Sequence, residues 1–84
     1  MNRSHLEPNG RLYRTVADAL GVDSTALSEE SSPETLEQWD SLSHLQLVAA
    51  IESEFEISLQ PDDMLRIRDL RSMRAMLLEQ GADV

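Results

Sequence analysis

The sequence predicts an all-α protein, a four-helix bundle with a long first loop and a short third helix. Two observations support this prediction. Apolar residues recur at helical intervals of three and four in separate segments, and no segment shows a convincing strand pattern. Residues that commonly start or stop helices, among them Gly21, Pro61 and Gly81, lie beside these segments. A chain of 84 residues can enclose one modest core, so we expect a single domain.

The first helix is predicted over about residues 10–20, and Gly21 ends it. Its inward positions, one helical turn apart, are Leu12, Val16, Ala17 and Leu20. The loop that follows, residues 22–40, is rich in serine, aspartate, glutamate and threonine. We expect Leu27 and Leu36 to anchor this loop to the core. A loop of this length inside a small domain is usually functional or disordered.

The other three helices follow from their caps and apolar spacing. The second is predicted over residues 41–55, with Asp40 as its N-cap. The third starts near Pro61, a residue that suits a first helical turn, and its predicted apolar contacts are Met64, Leu65 and Ile67. The fourth begins near Asp69 and ends at Gly81, and its predicted inward residues are Leu70, Met73 and Leu77.

The sequence predicts a single domain at residues 9–81, between a flexible N-terminal tail at residues 1–8 and a C-terminal tail at residues 82–84. No apolar run approaches the length of a membrane span, and the N-terminal segment lacks the apolar core of a signal peptide. We therefore expect a cytoplasmic monomer that does not bind membranes. Because the chain has no cysteine, disulfides and thiolate metal sites are excluded.

Charge is distributed unevenly along the chain, whose formal net charge is −9. Between Thr15 and Leu65 there are twelve acidic residues and no lysine or arginine. This acidic middle argues against nucleic-acid binding, which needs a basic surface, and favours partners with basic docking surfaces. Four arginines follow, and we interpret them as a solvated basic face that nearby aspartates balance: Arg66, Arg68, Arg71 and Arg74, with Asp62, Asp63 and Asp69. The alternative is that this face binds a specific acidic partner.

The second helix carries more apolar residues than one buried face requires. The stripe predicted to face the core comprises His44, Leu47, Val48, Ile51 and Phe55. A second stripe, partway around the helix axis, comprises Leu42, Leu45, Ala49 and Glu52, flanked by Gln46 and Ser53. This second stripe is either buried against a neighbouring helix or exposed as a docking face, and its closeness to Ser41 favours the docking face.

Ser41 falls in the first turn of the second helix, where unpaired N–H groups and the helix dipole favour a phosphate ester. A nucleophile site built from Asp40, Ser41 and His44 is disfavoured, because no glycine-rich elbow or oxyanion loop is present. We therefore predict no catalytic residue and interpret His44 as a half-buried packing residue. Asp40 and His44 could supply only two metal ligands, so no metal site is predicted.

The segment WDSLSHLQLVAAIESEF, residues 39–55, resembles the modification-site helix of acyl carrier proteins. The resemblance joins the Asp-Ser-Leu motif at residues 40–42 to a helical apolar pattern, to residues 52–55, and to Ile57 and Leu59. It extends over about residues 10–80, and its other matching positions are Leu20, Gly21, Val22, Ile67, Leu70 and Met73. The resemblance implies an acyl-carrier-protein-like fold and a carrier that is not itself an enzyme.

The resemblance also implies a cofactor and partners. A phosphopantetheinyl transferase would attach the 4′-phosphopantetheine arm of coenzyme A to Ser41, and Asp40 would cap the helix as part of the motif. Acyl or aminoacyl ligases, transferases and downstream synthase enzymes would recognise Leu42, Leu45, Ala49 and Glu52. The implied cargo is an acyl group held as a thioester. An aminoacyl or peptidyl carrier is the first alternative, and an unmodified helical interaction module is the second.

Several residues differ from those of many fatty-acid carriers. Gln46 and Ser53 stand where acids are frequent, Ala49 is small, and Gln38-Trp39 replaces the frequent Gly-Ala. We expect these differences to alter the surface that the enzymes of general fatty-acid synthesis would contact. They favour a specialised pathway in which a dedicated ligase or synthetase loads the cargo.

Overall fold

Four α-helices and one 3₁₀ turn form the described part, residues 10–82, of the computed structural model. The helices are α1 (Gly10–Leu20), α2 (Ser41–Phe55), α3 (Pro61–Arg66) and α4 (Leu70–Glu79), and the 3₁₀ turn is Ser24–Ala26. They confirm the all-α prediction, with a long first loop and a short third helix. The tail predicted at residues 1–8 lies outside the described residues, as do residues 83–84.

The helices begin and end where the predicted capping residues stand. Asp40 and Asp69 accept hydrogen bonds from the backbone N–H groups of Ser43 and Ser72, each at 2.8 Å, and so cap α2 and α4. Pro61 is the first residue of α3. Gly21 and Gly81 follow α1 and α4 with φ of 72° and 80°, the left-handed conformation that commonly closes a helix.

The core contains the inward residues that the helical spacing predicts. These are Leu12, Val16, Ala17 and Leu20 of α1, Leu47, Val48, Ile51 and Phe55 of α2, and Leu70, Met73 and Leu77 of α4. Leu27 and Leu36 join the core from the long loop, as predicted, with Leu36 only partly buried. No helix within residues 10–82 combines the length and apolar character that a membrane crossing requires.

Three apolar positions differ from the predictions. Leu65 of α3 was expected to contact the core, but its side chain is exposed, because successive residues of a helix point about 100° apart and Met64 takes the inward position. Ile67, which follows α3, is buried as predicted. Trp39 was expected at the surface, yet it is only 1% exposed. Ala82 was assigned to the C-terminal tail, but it packs against the core, and its N–H donates to the Leu77 carbonyl at 2.9 Å.

The long loop is fastened to the N-terminus of α4. The backbone N–H of Leu70 donates to the Ser31 carbonyl at 3.1 Å, and that of Arg71 donates to the Glu29 carbonyl at 3.0 Å. The first N–H groups of a helix have no partner within the helix, so the loop satisfies groups that would otherwise need water. Ser31 is itself buried. The loop is therefore an ordered part of the domain.

Arg74 of α4 reinforces this attachment, in contrast to its predicted place on a solvated basic face. Its guanidinium pairs with the Glu29 carboxylate and lies 5.9 Å from the centre of the Tyr13 ring. Tyr13 also donates a hydrogen bond to Glu29 at 2.7 Å. Burial opposes ionisation of Glu29, but the hydrogen bonds from Arg74 and Tyr13 outweigh it and lower the pKa of this carboxyl. Burial, followed by the bond to Glu29, raises the pKa of Tyr13.

The other arginine pairs of this region lie at the surface, as predicted, although the acids differ in part. Arg71 pairs with Glu30 at 3.0 Å, and these side chains are 65% and 72% exposed. Arg66 pairs with Glu79 at 2.8 Å and with Asp63 at 3.8 Å. Because solvent screens exposed pairs, each contributes little to stability.

We predict that Glu29→Gln lowers the free energy of unfolding by about 1–3 kcal/mol, because it removes a charged acceptor from the partly buried Arg74. The Arg74 and Glu29 side chains are only 20% and 25% exposed, and Arg74 Nε and Nη2 already lack an acceptor among the described residues. Urea unfolding followed by circular dichroism measures the change. The matched control is Glu30→Gln, which should cost less than about 1 kcal/mol.

The Glu29→Gln variant also predicts a change in the pH dependence of stability. A carboxyl with a lowered folded-state pKa contributes stability above its unfolded pKa, about 4.3, and loses it as the pH falls through the folded value. The wild type should therefore lose more stability between pH 5 and the acid limit than Glu29→Gln loses. Equal losses in the two proteins would contradict the role given to Glu29.

Candidate functional site

The chain passes from the core to the surface between Trp39 and Ser41. The Trp39 side chain is buried, whereas Asp40 and Ser41 are both exposed. Ser41 is the first residue of α2, so its hydroxyl lies at the positive end of the helix dipole. The side chain makes no hydrogen bond to the residues that the structure describes. The hydroxyl is therefore open to an incoming group.

Asp40 holds the start of α2 in place. Its backbone is extended, with φ −101° and ψ −173°, and its carboxylate accepts the hydrogen bond from the Ser43 N–H. This bond, followed by one from the Ser43 side chain, lowers the pKa of Asp40. The carboxylate is thus a helix cap, held in its charged form.

An open cleft of about 420 Å³ lies beside Ser41. Its lining comes from the long loop and the first turn of α2: Pro33, Trp39, Asp40, Ser41 and His44. Pro33 is the lining residue that the sequence analysis did not assign to the site. It comes to the site because the loop folds back across the N-terminus of α2, and no local sequence pattern carries that information.

His44 is bonded to Trp39 and not to Ser41. The indole Nε1–H of Trp39 donates to His44 Nδ1 at 3.1 Å, and the two rings stack at an interplanar angle of 17°. The Asp40 carboxylate caps the helix, and His44 Nδ1 accepts the hydrogen bond from the Trp39 indole. Asp40, Ser41 and His44 are therefore not linked to one another as a proton relay would require. His44 is partly buried, as predicted.

The second stripe of α2 is exposed. Leu42 and Leu45 are 66% and 63% exposed, and Ala49 is exposed beside them. No described helix covers the stripe, so the interpretation of α2 as buried on both stripes is wrong. The flanking residues Gln46 and Ser53 are also exposed. An apolar strip with polar flanks therefore begins one residue after Ser41.

Glu52 differs from the rest of this stripe. It is partly buried, and its carboxylate accepts a hydrogen bond from the Leu59 backbone N–H at 2.8 Å. This bond holds the segment that leads from α2 to α3. Glu52 thus has a structural role that the helical spacing did not indicate.

These observations test whether the site suits a phosphate ester on Ser41. The hydroxyl is exposed, a cleft lies beside it, and the helix dipole favours a negative group there. No side chain hydrogen-bonds to the hydroxyl within residues 10–82, so an ester would break no existing bond of that kind. The residues present fit the group.

Comparison with known families agrees with this geometry. A family model described as a phosphopantetheine attachment site matches residues 10–77, which span α1 to α3 and most of α4. Domains of this kind are carriers and not catalysts, and they work with a phosphopantetheinyl transferase and partner enzymes. The chain therefore belongs to the phosphopantetheine-attachment-site family, consistent with acyl carrier proteins, and its cofactor is a covalently attached 4′-phosphopantetheine.

Proposed function

We propose that Ser41 is the attachment site and that the protein is an acyl carrier of a specialised pathway. The observation that carries this proposal is the exposed Ser41 hydroxyl at the first residue of α2, beside an open cleft. Ser43 is a weaker candidate. Its backbone N–H is bonded to Asp40, and its side chain is partly buried within the first helical turn.

The residues around Ser41 have separate tasks in this proposal. The arm, when attached, supplies a terminal thiol that holds acyl groups as thioesters. Asp40 caps α2 and so stabilises the helix up to its first residue, Ser41. The Ser41 oxygen that would form the ester is therefore held in place by a rigid helix. The helix dipole favours the charge of the phosphodiester. Because one end of the arm is fixed, the cargo reaches a docked enzyme at a raised effective concentration.

We predict that a promiscuous phosphopantetheinyl transferase and coenzyme A add one arm to the wild type and none to Ser41→Ala. Intact mass spectrometry measures the addition, and circular dichroism should show that the variant keeps its helical content. Ser43→Ala and Ser53→Ala are the matched controls and should accept the arm. Addition of the arm to Ser41→Ala would contradict the assignment.

We further propose that the exposed stripe of Leu42, Leu45 and Ala49 is the docking face for the transferase and the partner enzymes. Exposed apolar residues beside a functional group are typical of partner sites. Glu52 belongs to this proposal as a charged neighbour, but its bond to the Leu59 N–H complicates a test by charge reversal. A substitution on an exposed leucine gives a cleaner test.

We predict that Leu45→Arg reduces the second-order rate constant of arm transfer at least tenfold, because it places a charge in the apolar contact, while the helical content stays unchanged. The matched control is Leu78→Arg on α4, where the leucine is 57% exposed, close to the 63% of Leu45. This control should react at nearly the wild-type rate. Equal losses in both variants, or unfolding of Leu45→Arg alone, would count against a docking face.

The pathway is inferred from residues that are exposed within this stripe and beside it. Gln46 and Ser53 replace frequent acids there, and Ala49 presents a small apolar surface. Rim charges mostly set encounter rates and partner choice, so these differences favour a dedicated ligase or synthetase over general fatty-acid enzymes. Trp39 does not support this inference, because its side chain is buried and offers a partner almost no surface to contact.

We predict a single short acyl adduct on the arm when the protein is isolated from its native host. Intact mass spectrometry followed by fragmentation would identify the group and the serine that carries it. A ladder of long, even-numbered fatty acyl groups would overturn the specialised pathway. An aminoacyl or peptidyl adduct would overturn the acyl assignment and favour the alternative carrier type.

A further inference from the structure

The contact between Trp39 and His44 fixes the protonation pattern of the His44 ring. The indole Nε1–H can only donate, so His44 Nδ1 must accept with its lone pair, and the distance of 3.1 Å agrees with such a bond. The neutral ring then carries its proton on Nε2, since a neutral imidazole has one donor and one acceptor nitrogen. Trp39 thereby selects one tautomer of His44.

The Nε2–H donor of this tautomer belongs to a ring that lines the cleft beside Ser41. It has no acceptor among residues 10–82. Ser41 and His44 are three residues apart on α2, so they are neighbours on one face of the helix. Helical side chains also lean towards the N-terminus of their helix, which brings His44 towards the turn that contains Ser41.

We propose that His44 is a positioning residue for the prosthetic group, and that its Nε2–H donates a hydrogen bond to a phosphodiester oxygen on Ser41. This proposal rests on Ser41 being the attachment site. Trp39 acts through His44, because it holds the ring in the cleft wall and keeps the donor on Nε2. A hydrogen bond to a charged acceptor is stronger than one between neutral groups.

The bond would give the arm a preferred starting direction along the cleft wall. Without it, the ester would remain attached, but rotation about its phosphodiester bonds would be less restricted. The role therefore predicts a change in the environment and motion of the phosphate, and not a loss of attachment. That difference separates this proposal from the assignment of Ser41.

The experiment compares the apo and arm-bearing forms of four proteins: the wild type, His44→Leu, His44→Gln and Trp39→Phe. Intact mass spectrometry first establishes whether each protein carries one arm. ³¹P spectra then report the phosphodiester, and long-range ¹H–¹⁵N spectra report the His44 tautomer. Circular dichroism checks that each variant is folded. Glutamine retains both an acceptor and a donor, whereas leucine has neither, so the His44 pair isolates the hydrogen bond from packing.

In the wild type we expect His44 to be protonated on Nε2 alone, and we expect its Nε2 signal to shift when the arm is attached. The ³¹P signal of His44→Leu should shift and sharpen relative to the wild type. The ³¹P signal of His44→Gln should lie between those of His44→Leu and the wild type. Trp39→Phe should show a mixture of tautomers and a ³¹P signal between those of wild type and His44→Leu.

Two results would overturn the proposal. If arm-bearing His44→Leu has the wild-type ³¹P signal, His44 does not contact the phosphate, while the Ser41 assignment stands. A wild-type His44 protonated on Nδ1 would show that the indole does not select the tautomer. Failure of the wild type to accept an arm would overturn the attachment site and this proposal together, and the mass measurement would identify that case.

Discussion

The burial of the Trp39 side chain determines where the candidate functional site lies. Trp39 is the last residue of the long loop before the cap of α2, and it is among the largest side chains in the core. Replacing a buried aromatic residue by alanine typically costs about 3–5 kcal/mol, so this anchor is a large part of the stability of a small domain. Because the side chain points into the core, the backbone emerges at Asp40, and α2 starts at the surface with Ser41. The exposure of the serine is thus a consequence of the burial two residues earlier.

The long loop is held at two places, and this makes it a wall of the site. At one end Trp39 enters the core. Nearer its start, Ser31 and Glu29 accept backbone hydrogen bonds from the first turn of α4, and Arg74 pairs with the Glu29 carboxylate. The loop and α4 stabilise each other. The hydrogen bonds hold the loop in position, and the loop carbonyls supply acceptors for the first N–H groups of α4. Pro33 lies between these attachments and lines the cleft, so the shape of the cleft depends on contacts far from it in sequence.

Sequence predicted those parts of the structure that local patterns determine. Helical spacing identified the core face of α2, and capping chemistry placed Asp40 and Ser41 at the start of the helix. The Arg74–Glu29 pair could not be predicted, because it joins residues 45 positions apart and the chain offers many acids as partners. Trp39 was misplaced because a loop has no periodicity from which burial can be read. Leu65 was misplaced because α3 has only six residues, too few for spacing to define a face.

Under the docking proposal, the two apolar stripes of α2 separate the demands of folding from those of partner recognition. The core stripe, with Leu47 and Ile51 fully buried, holds the helix in the bundle. Leu42 and Leu45 keep most of their surface in water, so they give up much of the stabilisation that burial of a leucine would provide. Their replacement therefore changes the protein surface far more than it changes the core. If the exposed stripe is the docking face, as proposed, substitutions there change the choice of partner, while the core stripe and the anchored loop continue to hold Ser41 at the surface.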